Sequence, residues 1–194
     1  MGYTIPDMSV FLNSTINSVI ALIVAITIHE FSHAWAADRL GDPTPRSKGR
    51  LTLNPLAHLD PIGTLMLFIA HFGWGKPVPI DPYNLRHPKR DYLYIALAGP
   101  ISNIILAILI ALLSKIFFIP LFLYLIIINL SLAIFNLLPF HPLDGSHIFP
   151  DLFPGSTGYI ILIFLIMPIF NNTSLISYLI SPIINFCLNL LAMI

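Results

Sequence analysis

The sequence predicts an all-α polytopic membrane protein: a bundle of about four to six transmembrane helices with one short re-entrant or extended segment at the membrane surface. Three observations carry that expectation. Hydrophobic residues make up 57% of the 194-residue chain and charged residues 9%, where a soluble domain carries about a quarter charged. Mean hydropathy is +0.87. Apolar runs of spanning length recur along the chain, broken by Pro and Gly rather than by polar linkers.

The net charge of zero conceals an asymmetry, since eight of the nine Lys and Arg lie between Arg39 and Arg90 and the ninth is Lys115. Such a bias places that side of a multi-pass protein in the cytoplasm and gives no reason to invoke nucleic acid as a partner. The single cysteine, Cys187, excludes an internal disulfide and a thiolate metal cluster, because each needs more than one Cys. Met1 to Asp7 lack the basic run of a cleaved signal peptide, so insertion is expected to rely on internal helices. With no repeat, low-complexity tract or soluble linker, one integral-membrane domain is expected over 1–194.

The first helix is expected from Asn13 to Leu40, after a polar entry at Asn13, Ser14, Thr15 and Asn17, and stops at Gly41-Asp42-Pro43. Its length exceeds a bilayer core of about 30 Å, so the basic end must project into headgroups or water. Gly41 to Asn54 is polar and turn-rich, with a short strand suggested at Arg50-Leu51-Thr52-Leu53. Pro61 to Phe72 is too short to cross and is expected to be re-entrant or to lie at the surface. His58 and His71 flank it as hydrogen-bonded or interfacial histidines. Gly73 to Ile80 holds too much Gly and Pro for a helix and reads either as an extended edge, whose free carbonyls suit pairing with an unwound peptide, or equally as a loop along the membrane surface with Trp74 at the interface.

A second long helix is expected from Asp91 to Ile119, with Ala98 and Gly99 suited to close helix contact and Asn103 in need of a polar partner. Pro120 is expected to end it, and Leu121 to Leu138 forms the next span, carrying Asn129 and Asn136. Asn136 through Gly145 follows, where Pro139, Pro142 and Gly145 hold the backbone irregular. Irregular backbone at membrane depth is tolerated only beside protein or a watery cavity, which makes Asp144 well placed as a ligand. Tyr159 to Phe170 and Leu175 to Ile194 close the bundle as one short and one full apolar segment.

Inside the first helix lies Ile28-His29-Glu30-Phe31-Ser32-His33, an H-E-x-x-H motif. Residues four apart share a helix face, so His29 and His33 can hold one metal ion with Glu30 beside it. Glu30 is the single glutamate of the chain, and a charge at membrane depth costs about 2.5 kcal/mol or more. Two histidines, a metal and an adjacent carboxylate point to metal-assisted peptide hydrolysis, with Glu30 taking the proton of an attacking water. A catalytic zinc takes three protein ligands, and the residues leave Asp144, His141, His147 and His58 as candidates for the third.

Taken together, His29-Glu30-Phe31-Ser32-His33, Gly41-Asp42-Pro43, Gly75-Lys76-Pro77-Val78-Pro79, Ala98-Gly99-Pro100-Ile101-Ser102-Asn103 and Asn136 through Gly145 resemble, in order, the motifs of the site-2 protease family of intramembrane zinc metalloproteases. The likeness covers nearly the whole chain and is to the short form, without a PDZ or CBS domain. It implies one Zn2+ per chain bound by His29, His33 and Asp144, Glu30 as general base, and Asn136 positioning substrate or stabilising the oxyanion. It also implies cleavage of transmembrane protein or peptide substrates within the lipid bilayer of the cell membrane, near the cytoplasmic face, the side that the charge bias assigns to the motif. Iron or cobalt can bind the same donors, although two His and a carboxylate suit zinc best.

A membrane metal-binding or transport protein is the competing class, since it too uses histidines and carboxylates inside a bundle. Glu30 separates the two, because a transporter has no need of a base beside the ligand pair. A binding-only relative would be expected to lack Glu30 or a ligand, and this chain keeps all four.

Overall fold

The structure is a computed structural model and describes residues 15–64, 74–153, 156–170 and 173–193. Helix α1 spans Thr15–Leu40 and is followed by the single turn α2, Thr44–Ser47. Helix α3 is Pro88–Ser114, α4 is Pro120–Asn136, the short α5 is Gly145–Ile148, α6 is Ser156–Ile166 and α7 is Leu175–Met193. Among the described residues β structure is confined to an antiparallel ribbon of β1, Pro168–Phe170, with β2, Thr173–Ser174, and an isolated bridge between Leu59 and Gly75. The all-α membrane architecture expected from composition is therefore observed.

Three helices, α1, α3 and α7, are long and apolar enough to cross a membrane. Helix α4, with 17 residues, falls at the short limit of a spanning helix. Helix α6 has 11 residues, too few to span. Isoleucine, leucine and phenylalanine side chains on α3 and just beyond it, among them Ile101, Ile105, Leu109 and Phe118, are exposed. In water such a surface drives association, and against lipid tails it carries no penalty.

Helices α1, α3 and α4 pack together because each buries a stripe at intervals of four residues. On α1 the stripe is Ala21, Ala25, His29, His33 and Ala37, and on α3 it is Ile95, Gly99, Asn103, Ala107 and Ala111. Helix α4 contributes Leu125, Asn129 and Ala133. Residues four apart stack on one face, and small side chains there let the backbones approach closely. The polar members of all three stripes fall at one level, so the same packing that closes the bundle assembles a polar centre inside it.

The end of α1 explains Gly41-Asp42-Pro43. Gly41 adopts φ +113°, its N–H donates to the Asp38 carbonyl at 3.3 Å, and the Asp42 N–H donates to the Ala37 carbonyl at 2.9 Å. That pair of bonds is a Schellman cap, whose left-handed residue favours glycine. The Asp42 carboxylate, fully buried, then accepts from the Thr44 N–H at 3.0 Å, the Asp81 N–H at 2.8 Å and the Asn84 amide at 3.0 Å. Burial alone would push this carboxyl up, and the hydrogen bonds from Thr44, Asn84 and Asp81 outweigh it and hold it below its ordinary value.

Two local expectations are overturned. Arg50 to Leu53 forms no strand, because the Arg50 N–H donates to Pro45 O at 2.8 Å and the Thr52 carbonyl is taken by the His58 ring at 2.7 Å, which leaves no free ladder edge. Pro120 does not end the preceding helix; α3 stops at Ser114 and Pro120 opens α4, at the first-turn position where its missing N–H costs nothing. The segment expected to be re-entrant is helical over residues 61–64, and its remainder, with His71, lies outside the described residues.

Replacing Asp42 with Ala strands two backbone donors and an amide, each worth about 1–3 kcal/mol when buried without a partner. The variant in detergent is expected to unfold at a clearly lower temperature, as read by tryptophan fluorescence. Because the folded carboxyl titrates below its unfolded value, the Asp42 contribution is present above that unfolded value, about 3.9, and is lost as pH falls through the lowered one. Asp42→Asn should therefore flatten this acid limb of the stability profile.

Candidate metal centre

Helix α1 presents His29 and His33 on the buried stripe, 4% and 6% exposed. Their Nε2 atoms lie 3.1 Å apart. The Asp144 Oδ2 reaches the same point from the turn after α4, 3.0 Å from His29 Nε2 and 3.2 Å from His33 Nε2. Among the described residues, His29, His33 and Asp144 are the group of His, Cys and acidic side chains placed to hold a metal ion.

Hydrogen bonding on the far side of each ring decides what those three atoms offer one another. The Asn103 amide nitrogen donates to the Ala25 carbonyl at 3.0 Å and to Asn129 Oδ1 at 2.7 Å. Asn129 is oriented in turn because its own amide nitrogen donates to the Leu125 carbonyl at 2.7 Å. Asn103 Oδ1 is left facing His29 Nδ1 at 2.6 Å, and an amide oxygen can only accept, so the ring hydrogen sits on Nδ1. His33 Nδ1 likewise donates to the Ile95 carbonyl at 2.7 Å. In neutral rings both Nε2 atoms therefore carry bare lone pairs.

Three acceptors thus converge with no hydrogen between them, and Asp144 Oδ2 has no hydrogen-bond donor although it is buried. That arrangement is repulsive unless a cation occupies its centre. Tetrahedral bonds of 2.0–2.2 Å to zinc would separate the ligand atoms by about 3.3 Å, within a few tenths of the distances found. Gly99 supplies the remaining evidence of fit: a Cβ there would stand 2.4 Å from His33 Nε2 and 2.7 Å from His29 Nε2. The cradle exists because α3 has no side chain at that position.

Gly145 serves Asp144 by close approach. A Cβ at 145 would lie 2.3 Å from the Leu138 carbonyl and 2.4 Å from that of Leu137, so only glycine lets the turn fold under the end of α4. The other candidates for a third ligand are elsewhere. His141 Nδ1 lies 3.1 Å from Ser146 Oγ and its ring stacks with Tyr159. His147 packs its ring against Tyr92, and His58, fully buried, is held by the Thr52 carbonyl.

Glu30 lies on α1 next to His29 and turns toward a different layer. Its Oε2 accepts the Val78 N–H at 3.1 Å and stands 3.9 Å from Nη2 of Arg50. One of the two readings of the extended piece around Val78 left its carbonyls open to a substrate, and those of Lys76 and Pro77 are not, since both accept from the Arg50 guanidinium. Asn136 sits at the end of α4 with its amide nitrogen donating to the Leu132 carbonyl at 3.0 Å, one turn back on its own helix. Sequence reading missed three participants. Asn129 stood out only as a polar residue in a span, Arg50 only through the charge bias and a suggested strand, and Gly99 only as a helix contact within a family motif.

The sequence pattern of Peptidase family M50 matches residues 113–162, a stretch that contains Asn136 and Asp144. Over 199 aligned residues the chain is 37% identical to YwhC of Bacillus subtilis (strain 168), named as a zinc metalloprotease, with 86% of this chain and 85% of that protein covered. It is 34% identical over 136 residues to Rip2 of Mycobacterium tuberculosis, also named as a zinc metalloprotease, covering 63% of this chain and 52% of Rip2, about half its length. A zinc metalloprotease of Methanocaldococcus jannaschii, MJ0392, is 27% identical over 146 residues, covering 73% of this chain and 35% of its own. No solved structure matches the chain.

The cradle makes a sharp test available, because Gly99→Ala sets a methyl against both histidine Nε2 atoms and forces the rings out of the arrangement that would hold the ion. The variant is expected to fold and to carry far less zinc than the unaltered protein by elemental analysis; full zinc content would put the ion elsewhere. A site built of two histidines and a carboxylate around a cation-shaped gap, on a chain alike over most of its length to a named zinc metalloprotease, has one consistent reading. The chain belongs to Peptidase family M50, the site-2 protease type of zinc metalloprotease.

Proposed function

We propose that this protein hydrolyses peptide bonds within or near the transmembrane segments of membrane-protein substrates, as the cutting step of regulated intramembrane proteolysis. The observation that supports this best is the depth of the centre. His29 lies 14 residues, roughly 21 Å, from the start of α1, and His33 lies seven residues, roughly 10 Å, from its end. A site so placed is reached from inside the bilayer.

In this reading His29, His33 and Asp144 would hold one zinc per chain, which would supply Lewis acidity and lower the pKa of an attacking water. Glu30 takes the proton of that water and returns it to the leaving amine. Its Oε2 is held by Val78, which leaves Oε1 for the transfer. Asn136, the last residue of α4, positions the substrate or the developing oxyanion once its amide leaves the Leu132 carbonyl. Substrate must unwind locally, since the carbonyls of an intact helix are already hydrogen-bonded.

The basic loops from Arg39 to Arg90 support a topology with the end of α1 on the cytoplasmic side of the cell membrane and the active site nearest that face. A maleimide that does not cross membranes should modify a Lys48→Cys variant in inverted vesicles and spare it in intact cells, once Cys187 has been replaced. The opposite pattern reverses the topology.

A panel of three variants tests the chemistry on labelled synthetic transmembrane peptides in detergent. Glu30→Gln should retain zinc and lose cleavage, because an amide keeps the shape and cannot accept the proton. Asp144→Ala should lose zinc and activity together, whereas His141→Ala should keep its zinc and change the rate modestly. Zinc lost from the His141 variant and kept by the Asp144 variant would replace the proposed ligand set.

A further inference from the structure

Arg50 is 5% exposed, and its guanidinium is spent on one short piece of chain. Nη1 donates to the Pro77 carbonyl at 3.0 Å, Nη2 donates to the Lys76 carbonyl, and Nη2 also lies 3.9 Å from the Glu30 carboxylate. The same piece is held a second time by its own donors and neighbours: the Lys76 N–H donates to the His58 carbonyl at 2.8 Å and Gly75 bridges Leu59. The next N–H, that of Val78, goes to Glu30. Pro77 and Pro79 have none to give. Each N–H from Lys76 to Val78 and the carbonyls of Lys76 and Pro77 are thus engaged inward.

The fit against α1 is close. A Cβ at Gly75 would meet Ile26 Cγ2 at 3.0 Å, the His58 carbonyl at 3.3 Å and Glu30 Oε1 at 3.6 Å. A segment whose groups are engaged in this way cannot offer them to an incoming peptide. What it does offer is one fixed N–H, aimed at a carboxylate. The two carbonyls are met by separate nitrogens of one planar guanidinium, a fixed fork that the single nitrogen of an ammonium does not reproduce.

We infer that Arg50 is a positioning residue: it clamps Lys76 and Pro77 so that the Val78 N–H holds Glu30 Oε2 and presents Oε1 for proton transfer. This rests on the general-base reading of Glu30 given above. Arg50 touches neither substrate nor metal in this scheme. Its removal should therefore leave zinc in place and act on turnover, since a misplacement of about 1 Å in a catalytic group costs up to roughly 100-fold.

The test uses Arg50→Gln, Arg50→Lys, Val78→Pro, which removes the N–H and sets a ring carbon in the hydrogen's place against Glu30, and the Arg50→Gln/Val78→Pro pair, with a labelled transmembrane peptide as probe. Each single variant should lower kcat roughly 10- to 100-fold with KM within about twofold and zinc content unchanged, Arg50→Lys falling least. The double variant should fall no further than the worse single one, because both act through the same hydrogen bond. Raised KM at unchanged kcat, or losses that multiply in the double variant, would overturn the proposal. A second measurement is independent of activity: hydrogen exchange at the Val78 amide, slow in the unaltered protein, should quicken in both Arg50→Gln and Glu30→Ala. Unaltered exchange in Arg50→Gln sinks the clamp even if a variant is poorly active for another reason. If Glu30→Gln still cleaves, the general-base reading fails, and the exchange experiment still decides whether Arg50 holds the strand to Glu30.

Discussion

Three lone pairs pointing at one another inside a helix bundle are the constraint on which the rest of this structure depends. His29 Nε2, His33 Nε2 and Asp144 Oδ2 lie 3.0–3.2 Å apart with their hydrogens elsewhere, and a cation is what reconciles them. Meeting that constraint determines much of the packing around it. Helix α3 needs glycine at 99 so that its backbone does not fill the gap, and the turn after α4 needs glycine at 145 so that Asp144 can reach in. Asparagines at 103 and 129 fix which ring nitrogen of His29 keeps its hydrogen, through bonds of 2.6–2.7 Å across three helices. A ligand ring is only as well oriented as the groups behind it.

Neighbouring residues on α1 are served by separate polar systems. The histidines are oriented by α3 and α4, from inside the bundle. Glu30 is oriented by the loops that follow α1, through Val78 and, behind it, Arg50. A helix embedded in lipid has few polar neighbours, so each ionisable side chain on it needs a dedicated partner from another element.

The loop layer stays in place through hydrogen bonds where α1 leaves the bundle. The Schellman cap at Gly41 turns the chain back, and the Asp42 carboxylate, sealed from solvent, ties that turn to Asp81 and Asn84. Leu85 and Ile80 pack with Ala37 and Ile95 in an apolar cluster just beneath. These contacts set the height at which Gly75 to Val78 crosses Glu30.

Local sequence carries the helices, the membrane class and the His29–Glu30–His33 motif, because each rests on short-range order: hydropathy over a span, residues four apart on one face, glycine and proline at breaks. Asp144 was legible only as one of four candidates until a family likeness singled it out, and the fold shows what separates it from His141, His147 and His58, whose rings face Ser146, Tyr92 and Thr52. Arg50 to Leu53 read as a strand because alternation predicts a pleat, and only the fold reveals that Pro45 and His58 take its backbone groups. Pairings such as Asn103 with Asn129 or Arg50 with Lys76 join residues 26 apart in the chain. No periodicity encodes such a separation; it is set by where packed helices and their loops come to rest, and that was for tertiary structure to decide.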